Sequence, residues 1–218
     1  IFTILEPMID LYTWSTPNGR KVSIALEELE LPYTVHAINI SKDEQFAPEF
    51  LKHSPNNKIP AIFDQKTGQS LMESGAILIY LAEKTGKLLP TSGAARAKVL
   101  EWLMWQMGGL GPICGQGHHF LKYNPGKSAY AEQRFGAEIQ RLYGVLDRQL
   151  AENAYLAGAQ YSIADIASWP WVSRFEWHQA DLHSFPNVKR WYLELAKRPA
   201  VQRGYDVPAS GQAIPLPS

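Results

Sequence analysis

Three segments of this sequence carry side chains that could do chemistry together: Thr16-Pro17-Asn18-Gly19, Asn57-Lys58-Ile59-Pro60 and Glu73-Ser74. Thr16 offers a hydroxyl and Asn18 an amide, both at the start of a helical pattern, where unpaired amides and the helix dipole favour a thiolate. Neither is a nucleophile at neutral pH without a base, and no histidine lies nearby in sequence. The pair is therefore expected to stabilise charge on a bound thiol rather than to attack. Pro60 at a strand edge predicts a cis peptide bond, with the preceding backbone left open to an extended peptide that adds as a further strand. Lys58 would then stand near the carboxylate of that peptide. Glu73-Ser74 opens a helix whose free amides and serine hydroxyl suit a carboxylate, while Glu73 suits an ammonium. That is a receptor for an amino-acid head group. Each segment also has a plain structural reading: an Asn-Gly capping turn, a proline that ends a strand beside a solvated lysine, and a serine N-cap.

Positioning these segments falls to alternating strand and helix signals over the first ninety residues. Ile9, Leu11 and Thr13 alternate with Asp10 and Tyr12 as a strand. Val22, Ala25, Leu26 and Leu29 then fall at helical spacing. Tyr33, Val35 and Ala37 alternate again, Pro48 to Leu51 reads as a short helix, and residues 59–63 and 70–72 read as strands around a turn at Thr67-Gly68. A helix from Glu73-Ser74 to about Lys84 completes the order β-α-β-α-β-β-α of a thioredoxin-like half. A punctuated stretch at 87–93 reads as a linker, dividing an α/β domain at 1–86 from an all-α domain at 94–218.

In the second part Val99, Leu100, Leu103 and Met107 form one helical stripe, and Phe135, Ile139, Leu142 and Leu146 another. Ser162 and Asp165 have the spacing of a capping box, with Tyr161 and Ile166 placed as a staple. Val188, Trp191 and Leu195 mark a last helix stopped by Arg198-Pro199, and the tail from Asp206 reads as irregular.

Composition removes some function classes. The 218 residues hold 21 basic and 21 acidic side chains, which gives no electrostatic ground for nucleic acid or an anionic membrane as partner. The longest apolar stretch, around residues 76–82, is far short of the roughly 20 residues that span a bilayer. No signal peptide is visible, and residues 1–7 before Met8 read as an extension ahead of the fold, native or added. The one cysteine, Cys114, excludes an intrachain disulfide and suits a reducing cytoplasm.

Other eye-catching residues have ordinary explanations. Cys114, in Gly-Pro-Ile-Cys-Gly, is expected to be a buried apolar residue. His118 and His119 are adjacent and point apart on a helix, so packing or solvent is expected for them and no metal site is assigned. Trp102, Trp105, Trp169, Trp171 and Trp177 are expected to be mostly core, with one or two beside a cleft.

In combination the motifs are specific. Asn56-Asn57-Lys58-Ile59-Pro60-Ala61-Ile62, Glu73-Ser74-Gly75-Ala76-Ile77 and the Ser162-Ile163-Ala164-Asp165 run resemble the glutathione transferases over nearly the whole chain. Thr16-Pro17-Asn18-Gly19 with the run from Trp105 to Pro112 resembles the bacterial nu class in particular, over about residues 8 to 200. The resemblance implies the glutathione transferase fold, with glutathione as co-substrate at one or two molecules per site. It implies that Thr16 and Asn18 face the glutathione sulfur, and that Ile59 pairs with the cysteinyl unit. Lys58 would meet the glycine carboxylate, Glu73 and Ser74 the γ-glutamyl group, and Gln45 and Arg134 would add further contacts. It implies a homodimer and disulfide-bond reductase activity on small disulfides, extending to organic hydroperoxides. Two alternatives stay open: conjugation of glutathione to electrophiles, and a regulator of the same fold with little turnover. With no cysteine at Thr16, the nucleophile belongs to the ligand.

Overall fold

The computed structural model describes residues 8–217, so the extension at 1–7 lies outside it. In β1 (Ile9–Thr13), Ile9, Leu11 and Thr13 are fully buried while Asp10 and Tyr12 are only partly covered. That is the period-2 alternation of a strand with one core face. β2 (Tyr33–Ala37) runs parallel to β1, β3 (Ala61–Asp64) antiparallel to it, and β4 (Gln69–Met72) antiparallel to β3. The four-stranded sheet has the order β2-β1-β3-β4. A parallel pair needs a crossover, which α1 (Pro17–Glu28) supplies, whereas β3 and β4 turn tightly at Gly68, at φ 70°. α2 (Pro48–Leu51) is a short helix, and α3 (Ser74–Thr85) ends on Gly86 in the left-handed conformation. Val22, Leu26, Ile62, Ile77, Leu78 and Leu81 form the core of this unit.

Register is what matters for function. Thr13 stands beside Ala37, Tyr12 beside Ala61, and Ala61 beside Met72. The chain therefore leaves β1, leaves β2, enters β3 and leaves β4 at one and the same edge of the sheet.

Contacts divide the chain into two units, one holding residues up to Lys87 together with Arg198–Ala213, the other Leu88–Lys197 with the tail from Ile214. The second unit begins with a run of α4 (Gly93–Trp105), a π-helical turn (Gln106–Leu110), α5 (Gly111–Gly117) and another π-helical turn (His118–Tyr123). Pro112 has no amide to return to the carbonyl of Gly108, and the helix widens there. α6 (Ala129–Glu152), α7 (Ile163–Val172) and α8 (Pro186–Ala196) follow. Val99, Leu103, Ile139, Leu142, Leu146, Val188, Trp191 and Leu195 are all buried, as the helical stripes predict. The capping box forms: Ser162 Oγ accepts from the Ala164 amide at 3.2 Å, and Asp165 accepts from the Ser162 amide at 3.0 Å. Asp165 also takes the Trp191 indole N–H at 2.9 Å, which ties α7 to α8. No helix among the described residues is long and apolar enough to cross a membrane.

Arg198-Pro199 does end α8, but it also begins a helix that the sequence pattern did not signal, α9 (Pro199–Tyr205). Proline is tolerated in a first helical turn because its missing amide would be unpaired there anyway. Within the first unit α9 lies against α1. Ser23 Oγ donates to the Gly204 carbonyl at 2.6 Å. The fully buried Arg20 donates to the Tyr205 carbonyl and to Gln212 Oε1, both at 2.9 Å, with its guanidinium 3.6 Å from the Tyr205 ring centre. Arg198 forks onto Glu28 at 2.6 and 2.8 Å.

The close approach of the two helices depends on Gly204, where a Cβ would come within 2.6 Å of Ile24 Cα and 2.7 Å of its nitrogen. Backbone cannot move aside as a side chain can. Gly204→Ala is expected to destabilise the protein by about 1–3 kcal/mol, the usual penalty of overpacking, read as a lower urea midpoint. An unchanged midpoint would show that α9 slides away freely.

Candidate functional site

At the end of β1 the chain turns through Trp14 and Ser15 into α1. Thr16 is the N-cap, its hydroxyl oxygen accepting from the Gly19 amide at 3.1 Å. Pro17, Asn18 and Gly19 are therefore the first helical turn, not an Asn-Gly capping turn, because Thr16 takes the cap and Pro17 fits the first position. The Thr16 hydroxyl accepts that bond and donates to none of the described residues. Its proton is available to an anion beyond the helix end. Gly19 is required by packing, since a Cβ there would fall on the Trp14 carbonyl oxygen and the Thr13 hydroxyl. The cap is thus held against the end of the strand.

Beside it, the chain enters β3 through the cis Ile59–Pro60 bond that the sequence predicts. Ser54, buried beneath this loop, donates to the Lys58 carbonyl at 2.7 Å and accepts from the Lys58 amide at 3.3 Å. Ile59 comes before the first paired residue of β3, and its backbone makes no hydrogen bond among the described residues. An extended chain could pair there. Lys58 is exposed.

Next along the same edge, Glu73 is the N-cap of α3 but makes no capping bond, and it sits at φ 69°, ψ 110°. A glutamate held in that region is strained by about 1–3 kcal/mol, and such outliers gather at ligand sites. Its carboxylate stays exposed while Ser74 is buried. Under them lies a residue that no sequence motif marks. Lys21 of α1 is 1% exposed and donates from Nζ to Ser74 Oγ at 3.3 Å. Burial pushes its ammonium down to about 7, against the opposing pull of the Glu73 carboxylate. The ammonium and the Ser74 hydroxyl thus lie together at the N-terminus of α3. The available signal was a basic pair, Arg20-Lys21, inside an otherwise buried helical stretch.

Two further predicted site residues lie outside these three segments. Gln45 lies in a 3-10 turn (Glu44–Phe46) on the segment leaving β2, and its Oε1 is buried with no hydrogen-bond partner among the described residues. Arg134 belongs to the helical unit, exposed on α6 beside a cavity of about 580 Å³ lined also by Ile113, Tyr130, Phe135 and Glu138. Cys114 is buried in that unit, where burial raises its thiol pKa far above the ordinary value. His118 is buried, with Nε2 2.9 Å from His178 Nε2, and His178 Nδ1 is 2.8 Å from the Tyr143 hydroxyl; His119 is exposed. Of the tryptophans, Trp102, Trp169 and Trp171 are buried and Trp105 and Trp177 partly exposed. Among the described residues no three His, Cys, Asp or Glu side chains could hold a metal ion.

This edge can bind an extended, zwitterionic ligand: donors and two helix N-termini for anionic groups, a carboxylate for an ammonium, and open backbone between. Residues 16–84 match the family model of the glutathione S-transferase N-terminal domain and residues 111–199 that of its C-terminal domain. The chain is 50% identical over 198 residues to the disulfide-bond oxidoreductase YfcG of Escherichia coli, covering 88% of this chain and 92% of that protein. A glutathione transferase family member from Pseudomonas fluorescens, solved with two glutathione bound, superposes with a TM-score of 0.87 at 44% identity, covering 94% of this chain and 95% of that one. A glutathione transferase from Pseudomonas putida, with one glutathione disulfide bound per subunit, gives 0.86 at 44% identity, covering 95% and 94%.

The buried lysine yields a test of its own. Its folded-state pKa of about 7 lies below the ordinary 10.5, so between those values the unfolded chain holds more protons and wild-type stability climbs with pH. Lys21→Met is expected to be more stable than wild type near neutral pH, by about 1–4 kcal/mol. That gap should be widest below about pH 7 and close toward 10.5. Urea titrations across this range that ran parallel for the two proteins would remove the buried charge from the site.

Proposed function

The chain belongs to the glutathione S-transferase family, and from that membership we propose that it is a glutathione-dependent disulfide-bond reductase of the nu class, acting as a cytoplasmic homodimer. The observation that carries the reading is the single sheet edge at which Thr16 and Asn18, Lys58 and Ile59, and Glu73 and Ser74 leave or enter the strands. Glutathione spans that edge. Its γ-glutamyl ammonium meets Glu73, and its γ-glutamyl carboxylate meets Ser74 and the α3 amides over Lys21. The cysteinyl unit pairs with the Ile59 backbone, the glycine carboxylate lies toward Lys58, and Gln45 and Arg134 add contacts. The sulfur reaches Thr16 and Asn18 at the α1 N-terminus.

The chemistry needs no group of the chain as nucleophile. Glutathione thiolate attacks one sulfur of the disulfide, forming a mixed disulfide and expelling one thiolate. A second glutathione thiolate then attacks the mixed disulfide, releasing glutathione disulfide and the second thiolate. Two thiols are oxidised and one disulfide is reduced, so electrons balance. The protein holds the first thiolate and lowers its pKa with hydrogen-bond donors, against the rise that burial alone would cause.

Each donor to a charged sulfur is worth about 1.5–3 kcal/mol. Asn18→Ala is therefore expected to lower kcat/KM for a small disulfide by roughly ten- to a hundredfold, and unchanged kinetics would remove Asn18 from the site. Cys114→Ala is expected to keep full activity; loss of turnover with the fold intact would return the nucleophile to the chain. Faster turnover of an aromatic halide than of a disulfide would favour conjugation instead.

A further inference from the structure

Lys21 is a fully buried cation, and it shares one unit of the chain with the sheet edge. Its ammonium ends 3.3 Å from the Oγ of Ser74, itself buried as the first residue of α3. Several charges on the elements around α1 have partners of their own. On α9, Arg198 lies 2.6 Å from Glu28 and Arg203 2.6 Å from Glu27, while Arg20 of α1 lies on the Tyr205 ring. On α3, Lys84 lies 2.8 Å from Asp64 of β3. Glu73, exposed at the head of α3, is the carboxylate that pulls on Lys21. Burial outweighs that pull and holds the ammonium down at about 7. Near neutral pH this charge is therefore half present, beside a helix end whose amides favour an anion. An anion seated there would attract the ammonium through little water, so the attraction is poorly screened and the charged form gains.

We propose that Lys21 is a positioning residue for the γ-glutamyl carboxylate, and that it takes up a proton as that carboxylate settles at Ser74 and the α3 N-terminus. The identity of the anion rests on the reading above, in which glutathione occupies the sheet edge. Lys21 acts through charge from beneath the receptor, and its protonation sets how tightly the head group is held. Rising pH then works in two directions at this site. It helps to ionise the glutathione thiol, and it strips Lys21 of the proton that the carboxylate needs.

The test is titration calorimetry with S-methylglutathione, whose blocked sulfur removes thiol ionisation. A second ligand is its counterpart with 4-aminobutyrate in place of the γ-glutamyl residue, which lacks only the carboxylate in question. Lys21→Met is expected to bind S-methylglutathione about twentyfold more weakly than wild type at about pH 6.5, and only about twofold more weakly at about pH 8.5. The ligand's own ammonium titrates alike with both proteins and cancels in that ratio. Binding to wild type should take up about half a proton at pH 7, read from buffers of different ionisation heats, and binding to Lys21→Met none. Lys21→Arg, which is permanently charged, should bind tightly at both pH values without proton uptake. If the bulkier arginine prevents folding, Lys21→Met decides alone. For the ligand without the carboxylate, wild type and Lys21→Met should agree within about twofold at either pH. Parallel pH profiles for wild type and Lys21→Met with S-methylglutathione would overturn the proposal and leave the glutathione reading standing. Equal weakening of both ligands would likewise overturn it, reducing Lys21 to a support of α3. Failure of wild type to bind S-methylglutathione at any of these pH values would remove the glutathione reading, and the proposal with it.

Discussion

Tyr12, Ala61 and Met72 stand side by side on three neighbouring strands, and one consequence of that register reaches most of what this protein can do. Strands that pair in this alignment must begin or end together, so the chain that follows β1, precedes β3 and follows β4 shares one edge of the sheet. Two of those segments pass straight into helices, whose first amides have no partner inside the helix. The third enters its strand through Ile59–Pro60 before pairing starts. Unpaired backbone and two helix N-termini are thereby concentrated in one place with no side chain yet considered. A slip of one residue between β1 and β3 would turn Leu11 and Ile62 out of the core, so the hydrophobic pattern that stabilises the sheet also fixes the site.

α1 transmits this constraint. Its first turn presents Thr16 and Asn18, while the next two residues, Arg20 and Lys21, are buried cations with different roles. Arg20 finds a carbonyl, an amide oxygen and a tyrosine face on the returning C-terminal segment, a set of partners suited to anchoring a helix. Lys21 is aimed the other way, at Ser74, and burial outweighs its attraction to Glu73. A charge held at a net expense in stability is poor architecture but good preparation for an anion, since a carboxylate arriving above Ser74 would supply the missing attraction. The strained backbone of Glu73 has the same character.

How much of this could be read from the sequence follows from the range of each interaction. The elements of the first ninety residues, the cis Ile59–Pro60 bond and the Ser162–Asp165 capping box were legible, because alternation, helical spacing and caps act within a few residues. So was the position of Thr16 at the junction of strand and helix, although the capping role proved to be that of Thr16 rather than of the Asn-Gly pair. Lys21 was not legible, since its partner Ser74 is 53 residues away and a lysine in an amphipathic helix is ordinarily solvated. α9 was missed because Pro199 reads equally as a stop or as a first turn, and only Ser23 and Arg20, far off in sequence, decide. The His118, His178 and Tyr143 chain spans 60 residues and left no local trace.

Burial also bears on where a nucleophile could reside. Cys114 is buried, and burial suppresses its thiolate. Tyr143, deep in the same unit, is raised well above the usual phenol range, and Tyr12 in the sheet is raised by burial and by Asp10. His178 is held neutral, with Tyr143 on one ring nitrogen and His118 on the other. Cys114, Tyr143 and His178 are thus each silenced by their surroundings, while the three segments at the sheet edge supply a hydroxyl, an amide, backbone and charges. Such an arrangement can lower the pKa of a thiol brought to it but cannot replace one. On the proposed reading that division of labour is the mechanism: the fold contributes an electrostatic cradle, and the reactive sulfur arrives with the tripeptide.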